Sequence, residues 1–277
     1  MHRSLRFALP ALIVVAALGW FSYQYFIVAD APEEISTSAA LDQLTQDLAD
    51  EDAATQEPSE IAEPTPVPTS APVADTDESD PNTADTAPAT STIDGTWTVD
   101  DDFGDFAFEN ASGSFAGFRV DKELFVGGVQ VAVGRSGDVT GSILVDGGTI
   151  AGGDITVTTT TMESDIGARS NSIRTAIQAS EFPTATFSIT TSTPIDTARL
   201  EAGETVAADI AGALTIAGTT SEAIVFAEAT MVEPGLALIV GAANLTWADF
   251  GVQTPNSSAG TVADQGTLEF QLIVRLS

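Results

Sequence analysis

The chain of 277 residues contains no cysteine and a single histidine, His2, at its start. Without cysteine there is no disulfide framework, no thiolate metal site, no cysteine nucleophile and no lipid-modified N-terminal cysteine. With no histidine in its body, the chain cannot assemble a Ser-His-Asp triad or a histidine-rich metal site. Bases are scarce too: 9 Lys and Arg stand against 40 Asp and Glu, for a formal charge of −31, and Lys122 is the single lysine. Phosphate backbones call for clustered Lys and Arg, so no nucleic-acid partner is expected. These absences remove most common enzyme classes, and no catalytic residue, metal or resident cofactor is expected.

What is present falls into three compositions. Residues 1–28 carry Arg3 and Arg6 and no acid. Phe7 to Val28 is uncharged, and 22 residues span about 33 Å as a helix, enough for a ~30 Å hydrocarbon core. Trp20, Tyr23 and Tyr25 cluster at one end, as interfacial aromatics do, and the two arginines flank the other. This predicts a single-pass anchor in the cell membrane, with its N-terminus in the cytoplasm and the rest of the chain outside it. A cleaved signal peptide ending at Ala29-Asp30-Ala31 is the competing reading. The length of the apolar run and Pro32 directly after that cut favour a retained anchor.

Residues 29–92 hold 16 acids and no base, with Pro, Thr and Ala dominating 62–92. Such a segment buries too little apolar surface to offset its ordering entropy, so 29–92 is expected to be a disordered acidic linker. Leu41, Leu44 and Leu48 lie at i, i+3 and i+7, which is read as a transient helix in preference to a docking helix.

Residues 93–277 alternate with period 2, the pattern of half-buried strands. In Thr267 to Leu276, Leu268, Phe270, Leu272, Val274 and Leu276 share one face, and Thr267, Glu269, Gln271, Ile273 and Arg275 the other. Many short strands separated by glycine turns predict an antiparallel sandwich or barrel. A short helix at Ile173–Gln178, with N-cap candidates Ser170, Asn171 and Ser172, is expected to cover a barrel end. The aromatics of this region are eleven Phe with Trp97 and Trp247, and no Tyr. Rings without a hydroxyl suit a dry core or an apolar cavity, and composition leaves filled and hollow barrels both open.

Motifs for chemistry are weak. Asp100-Asp101-Asp102 lacks the glycine and distal Glu of an EF-hand loop. Glu163 and Asp165 are two acids among many. Gly134-Arg135-Ser136-Gly137 has no histidine to serve as its base.

Four stretches carry a family likeness. They are Gly95-Thr96-Trp97-Thr98-Val99 followed by Gly117-Phe118-Arg119-Val120; Thr161-Met162-Glu163-Ser164-Asp165 through Arg169; Phe182-Pro183-Thr184-Ala185-Thr186-Phe187; and Gly212-Ala213-Leu214-Thr215-Ile216-Ala217-Gly218-Thr219-Thr220. In this order they resemble the YceI-like family of lipid- and polyisoprenoid-binding proteins, from about Ile93 to Ser277. Two positions depart from that pattern: Ser170 stands where the family has Asp after the helix-region Arg, and Ala213 where it often has an acid or Asn.

The resemblance implies an all-β, extended lipocalin-like antiparallel barrel of about eight strands with a short lid helix. It implies a long apolar lipid inside, such as an isoprenoid quinone or polyprenol, and no catalytic role. Strand parity then places Ile155, Val157, Phe187, Ile189, Leu214, Ile216, Phe226, Phe270 and Leu272 on the lining. Thr156, Thr186, Ser188, Thr215, Glu269 and Gln271 are expected to face outward, since a one-residue slip would invert every strand. Arg169 and Arg174, beside the lid helix, are the headgroup candidates. The alternative function is a non-enzymatic structural or interaction module of the cell envelope, with a filled core and an acidic docking surface.

Overall fold

The computed structural model describes residues 31–55, 92–125, 127–254, 256–257 and 260–277. The expected anchor at 1–28 and most of the Pro-rich stretch lie outside the described residues. Among the described residues no helix is long and apolar enough to cross a membrane.

The elements run in the order α1 (Thr37–Thr55), β1 (Gly95–Val99), β2 (Phe115–Leu124), β3 (Gly128–Ser136), β4 (Val139–Asp146), β5 (Thr149–Thr158) and α2 (Gly167–Ala176). They continue with β6 (Thr184–Ile189), β7 (Thr193–Pro194), α3 (Thr197–Glu201), β8 (Val206–Ile216), β9 (Thr219–Glu233) and β10 (Leu236–Thr246). A 3-10 turn (Trp247–Phe250), β11 (Asn256–Ser257) and β12 (Gly260–Leu276) complete the chain.

Eight strands close into an antiparallel barrel in the order β1-β4-β5-β6-β8-β9-β10-β12, with β12 returning to β1 through Trp97↔Leu276 and Val99↔Val274. The outer edge of the 17-residue β12 is divided. Its end pairs with β1, and its earlier part, from Gly260↔Leu124 to Gln271↔Phe115, pairs with β2. β3 adds to β2, so the β2–β3 hairpin extends the wall beyond the closed ring. Closure leaves no long free edge along the ring, which suits an all-β domain without disulfides.

α2 covers the gap beside this hairpin. Ile173 and Ile177 pack with Met162 and Ala179 against Phe118. Gly134 makes this possible, because a β-carbon there would lie 2.8 Å from Phe118 Cε1 and 3.2 Å from Ile173 Cδ1. The helix starts earlier than its capping residues suggest. Its N-cap is Ile166, without a side-chain cap, and Ser170 and Ser172 instead donate back to the carbonyls of Ile166 and Ala168.

The linker expectation fails over residues 31–55. Ser36 caps α1, its Oγ accepting from Ala39 N–H at 3.3 Å. Ala40 and Leu44 then enter a buried cluster with Leu236, Leu238, Val240 and Ile273 on the outer face of β10 and β12. The Thr37 hydroxyl donates to the Glu228 carboxylate on β9. An isolated helix of this kind is marginal in water, but burying one leucine side chain contributes about 1.5–3 kcal/mol, and that docking holds it.

Candidate functional site

The barrel encloses a cavity of about 210 Å³. A single water needs only ~10–15 Å³, and a dry engineered cavity of about 150 Å³ takes up benzene. The wall comes from the inward parity of every ring strand. Ile155 and Val157 on β5 pair with Phe187 and Ala185 on β6, respectively, and Phe187 pairs with Leu214 on β8. Ile189, Ile216, Phe270 and Leu272 also line it.

Phe226 is the exception among the expected lining residues. It stands on the outer face of β9, 49% exposed, and the wall there is Val225, Ala227 and Ala229. Cross-strand register decides this. Val225 lies opposite the inward Ile210, and Phe226 opposite Asp209. Side-chain bulk pointed to the wrong parity.

The cavity has two differently built ends. At one, Ile93, Trp97, Val145 and Leu200 form a buried cluster, and α3, capped by Asp196, brings Leu200 to the cavity wall. Trp97 Nε1 donates to Ile93 O at 2.8 Å. At the other, Leu245, Trp247, Phe250, Leu214 and Ile216 form the second cluster, with Phe118 edge-on to Trp247 at 5.3 Å. Ile177 and Met162 close the wall beneath α2.

Among the described residues no charged side chain lines the cavity. Its hydroxyl-bearing residues are Thr159, which donates to Phe182 O at 2.9 Å, and Thr186, whose register beside Thr156 and Thr215 follows the outward parity. Among the described residues, Trp247 Nε1 is the one buried polar side-chain atom of this wall without a hydrogen-bond partner.

Neither headgroup arginine lines the cavity. Arg169 pairs with Asp165, and Arg174 donates to Met162 O at 2.7 Å and to Asn171 Oδ1 at 2.6 Å. Both are spent on the segment that carries α2. Close by, burial holds the Lys122 amine below its ordinary 10.5, Arg169 adds to that, and Asp165 opposes it.

The outward residues Glu269 and Gln271 are buried rather than solvated, at 3% and 4% exposure. Glu269 accepts from Arg119 Nε at 2.7 Å and from Arg135 Nε at 2.8 Å. Glu269, Gly117 and Arg135 lie in one cross-strand row. A β-carbon on Gly117 would meet Arg135 Cγ at 2.9 Å, so glycine opens the path by which Arg135 reaches across a strand to the carboxylate. The remaining guanidinium donors meet carbonyls: Pro32 and Glu33 for Arg119, and Phe108 and Glu33 for Arg135. Gln271 donates to Gly113 O at 3.0 Å. This buried polar cluster was missed in the sequence. A charge in the polar row of a C-terminal strand reads as solvated, and only the pairing with β2 and β3 shows the two arginines beside it.

Residues 88–274 match the family model described as the YceI-like domain. The chain belongs to the YceI-like family. A polyisoprenoid-binding domain from Saccharophagus degradans, implicated in plant cell wall breakdown, is similar in structure at 15% identity. That match covers 59% of this chain and 94% of the other, with a TM-score of 0.47. BcnA of Burkholderia cenocepacia matches at 18% identity over 63% of this chain and 98% of its own, with a TM-score of 0.46. The YceI protein of Campylobacter jejuni matches at 22% identity over 52% and 84%, with a TM-score of 0.41. No curated protein sequence matches this chain.

Proposed function

We propose that this protein binds a long apolar lipid of the polyisoprenoid class inside its barrel, as a carrier or store, and that residues 7–28 tether it to the membrane with the barrel outside the cytoplasm. The observation that carries the binding reading is the cavity wall, which is apolar along its length and, among the described residues, free of charged side chains. Membership of the YceI-like family supports it. The apolar run and its flanking Arg3 and Arg6 support the tether.

Taken from water, each buried CH₂ contributes about 0.8 kcal/mol. Taken from a bilayer, where the chain is already among apolar neighbours, the same CH₂ gains almost nothing. Selectivity therefore rests on cavity shape and on what the ligand's polar end meets. The unpaired N–H of Trp247 favours an uncharged oxygen, such as a quinone carbonyl or a prenyl alcohol, and a wall without cations disfavours a carboxylate or phosphate.

Titration of the intact chain with decylubiquinone, read by tryptophan fluorescence, tests the binding reading. Saturable quenching that a free tryptophan derivative does not reproduce is the expected result. Linear quenching equal to that of the free derivative would overturn it.

A further inference from the structure

The tip of the β2–β3 hairpin exposes large apolar side chains that no other part of the described chain covers. Phe125 is 70% exposed and Val129 68%, and neither belongs to a buried cluster. A lone exposed residue needs no explanation, but a pair at the end of a projecting hairpin marks a contact surface.

A second observation says where that tip lies. The Pro32 and Glu33 carbonyls are held by Arg119, on the same strand as the tip. Only residues 29–31 separate Pro32 from Val28, the last residue of the apolar run. Four backbone steps reach at most about 14 Å. On the reading of that run as a membrane span, the bilayer surface comes within reach of Arg119, and Phe125 lies six residues beyond Arg119, just past the end of β2, about 20 Å at ~3.3 Å per residue. The long acidic stretch cannot act as the spacer between run and barrel, because α1, which precedes it, is itself docked on the barrel.

We propose that the β2–β3 hairpin tip inserts Phe125 and Val129 into the bilayer that residues 7–28 span. The inference rests on the reading of that run as a membrane span. Acyl chains are the occupant, rather than anionic headgroups. The chain carries −31 overall, and Lys122 is flanked by Asp121 and Glu123, so the contact is apolar and not an ion-pairing one. The consequence concerns the cavity. Along β12, the tip lies at the Gly260 end, as does the Trp247 end of the cavity through Thr246↔Gln265, whereas Trp97 pairs at Leu276. Docking therefore turns the Trp247 and α2 end toward the lipid.

The absence of cysteine makes the test direct. Phe125→Cys, Val129→Cys and Leu144→Cys each supply one site for an environment-sensitive fluorophore. Leu144, 44% exposed and paired with Thr96 on β1, marks the opposite end of the barrel. The full chain is reconstituted into phosphatidylcholine vesicles with and without nitroxide-labelled acyl chains, and each variant is checked for flotation. Several-fold quenching at 125 and 129, unchanged by high salt, with none at 144, is expected. Flotation with equal, weak quenching at all three positions overturns hairpin docking and leaves the membrane span standing. Failure to float overturns both.

Discussion

Arg119 Nε donates to Glu269 Oε2 at 2.7 Å, with the two side chains 10% and 4% exposed. The pair sits on the outer face of the barrel, yet it is sealed beneath the segment that leads into α1. Arg135 joins it, its guanidinium 4.7 Å from the Phe115 ring. Replacing Glu269 alone by Leu leaves two buried guanidinium groups without their carboxylate. Glu269→Leu is expected to lose about 3–5 kcal/mol, read as a lower urea midpoint. A loss under ~1 kcal/mol would mean that the carbonyls of Pro32, Glu33 and Phe108 suffice.

Leu44 tests the docked helix. It is 1% exposed against Leu236, Leu238 and Ile273. Leu44→Asp is expected to release α1, because a free helix of this composition is marginal. Amide exchange over 37–49 should rise toward unprotected rates while β8 and β9 keep their protection. Unchanged protection in α1 would contradict the packing.

Phe226→Ser separates the two parities of β9. Phe226 is half exposed opposite Asp209, so the change is expected to cost less than ~1 kcal/mol and to leave quinone quenching intact. Val225→Ser, on the cavity wall, is expected to weaken both stability and binding. Equal effects from the two variants would reject the register.

Lys122 gives a pH dependence with a definite sign. Its folded pKa is lowered from 10.5, chiefly by burial. Between the folded pKa and 10.5, the unfolded chain holds this proton more often than the folded one, so stability rises with pH across that window. Below it, the buried charge is a constant penalty. Lys122→Met is expected to raise the urea midpoint at pH 7 and to flatten the rise toward pH 10.5. A lower midpoint at pH 7 would show that the Asp165 attraction outweighs burial.

The barrel was legible because its strands alternate cleanly where only one face is buried. β8 follows that rule, and in β12 the period still marks the inward residues although Glu269, Gln271 and Ile273 bury its outer face as well. β10 broke it. Leu236, Leu238 and Val240 face out while Ala237 and Ile239 face in, so both faces are apolar. An antiparallel strand of that kind signals cover on its outer side, and the partner, Leu44 on α1, was hidden in a strongly acidic stretch. β9 failed for a related reason: Ile224 and Phe226 on one parity outweigh Val225 and Ala227 on the other, and only pairing with β8 resolves them. Chain proximity to α2 did not fix where the headgroup candidates point. Arg169 and Arg174 turn to partners within their own segment, and the cavity's unpaired donor belongs to a tryptophan that reads as ordinary core.

Ile189→Trp asks whether the cavity holds an apolar chain. Ile189 lies on the wall. The full-length parent and variant are compared by native mass spectrometry with lipid extraction, alongside their melting temperatures. A co-purifying polyisoprenoid-type lipid on the parent is expected, with its loss from the variant and a melting temperature nearly unchanged because the indole fills existing space. A parent that carries and takes up no lipid, with a variant destabilised by the ~1–3 kcal/mol of an overpacked core, would contradict it.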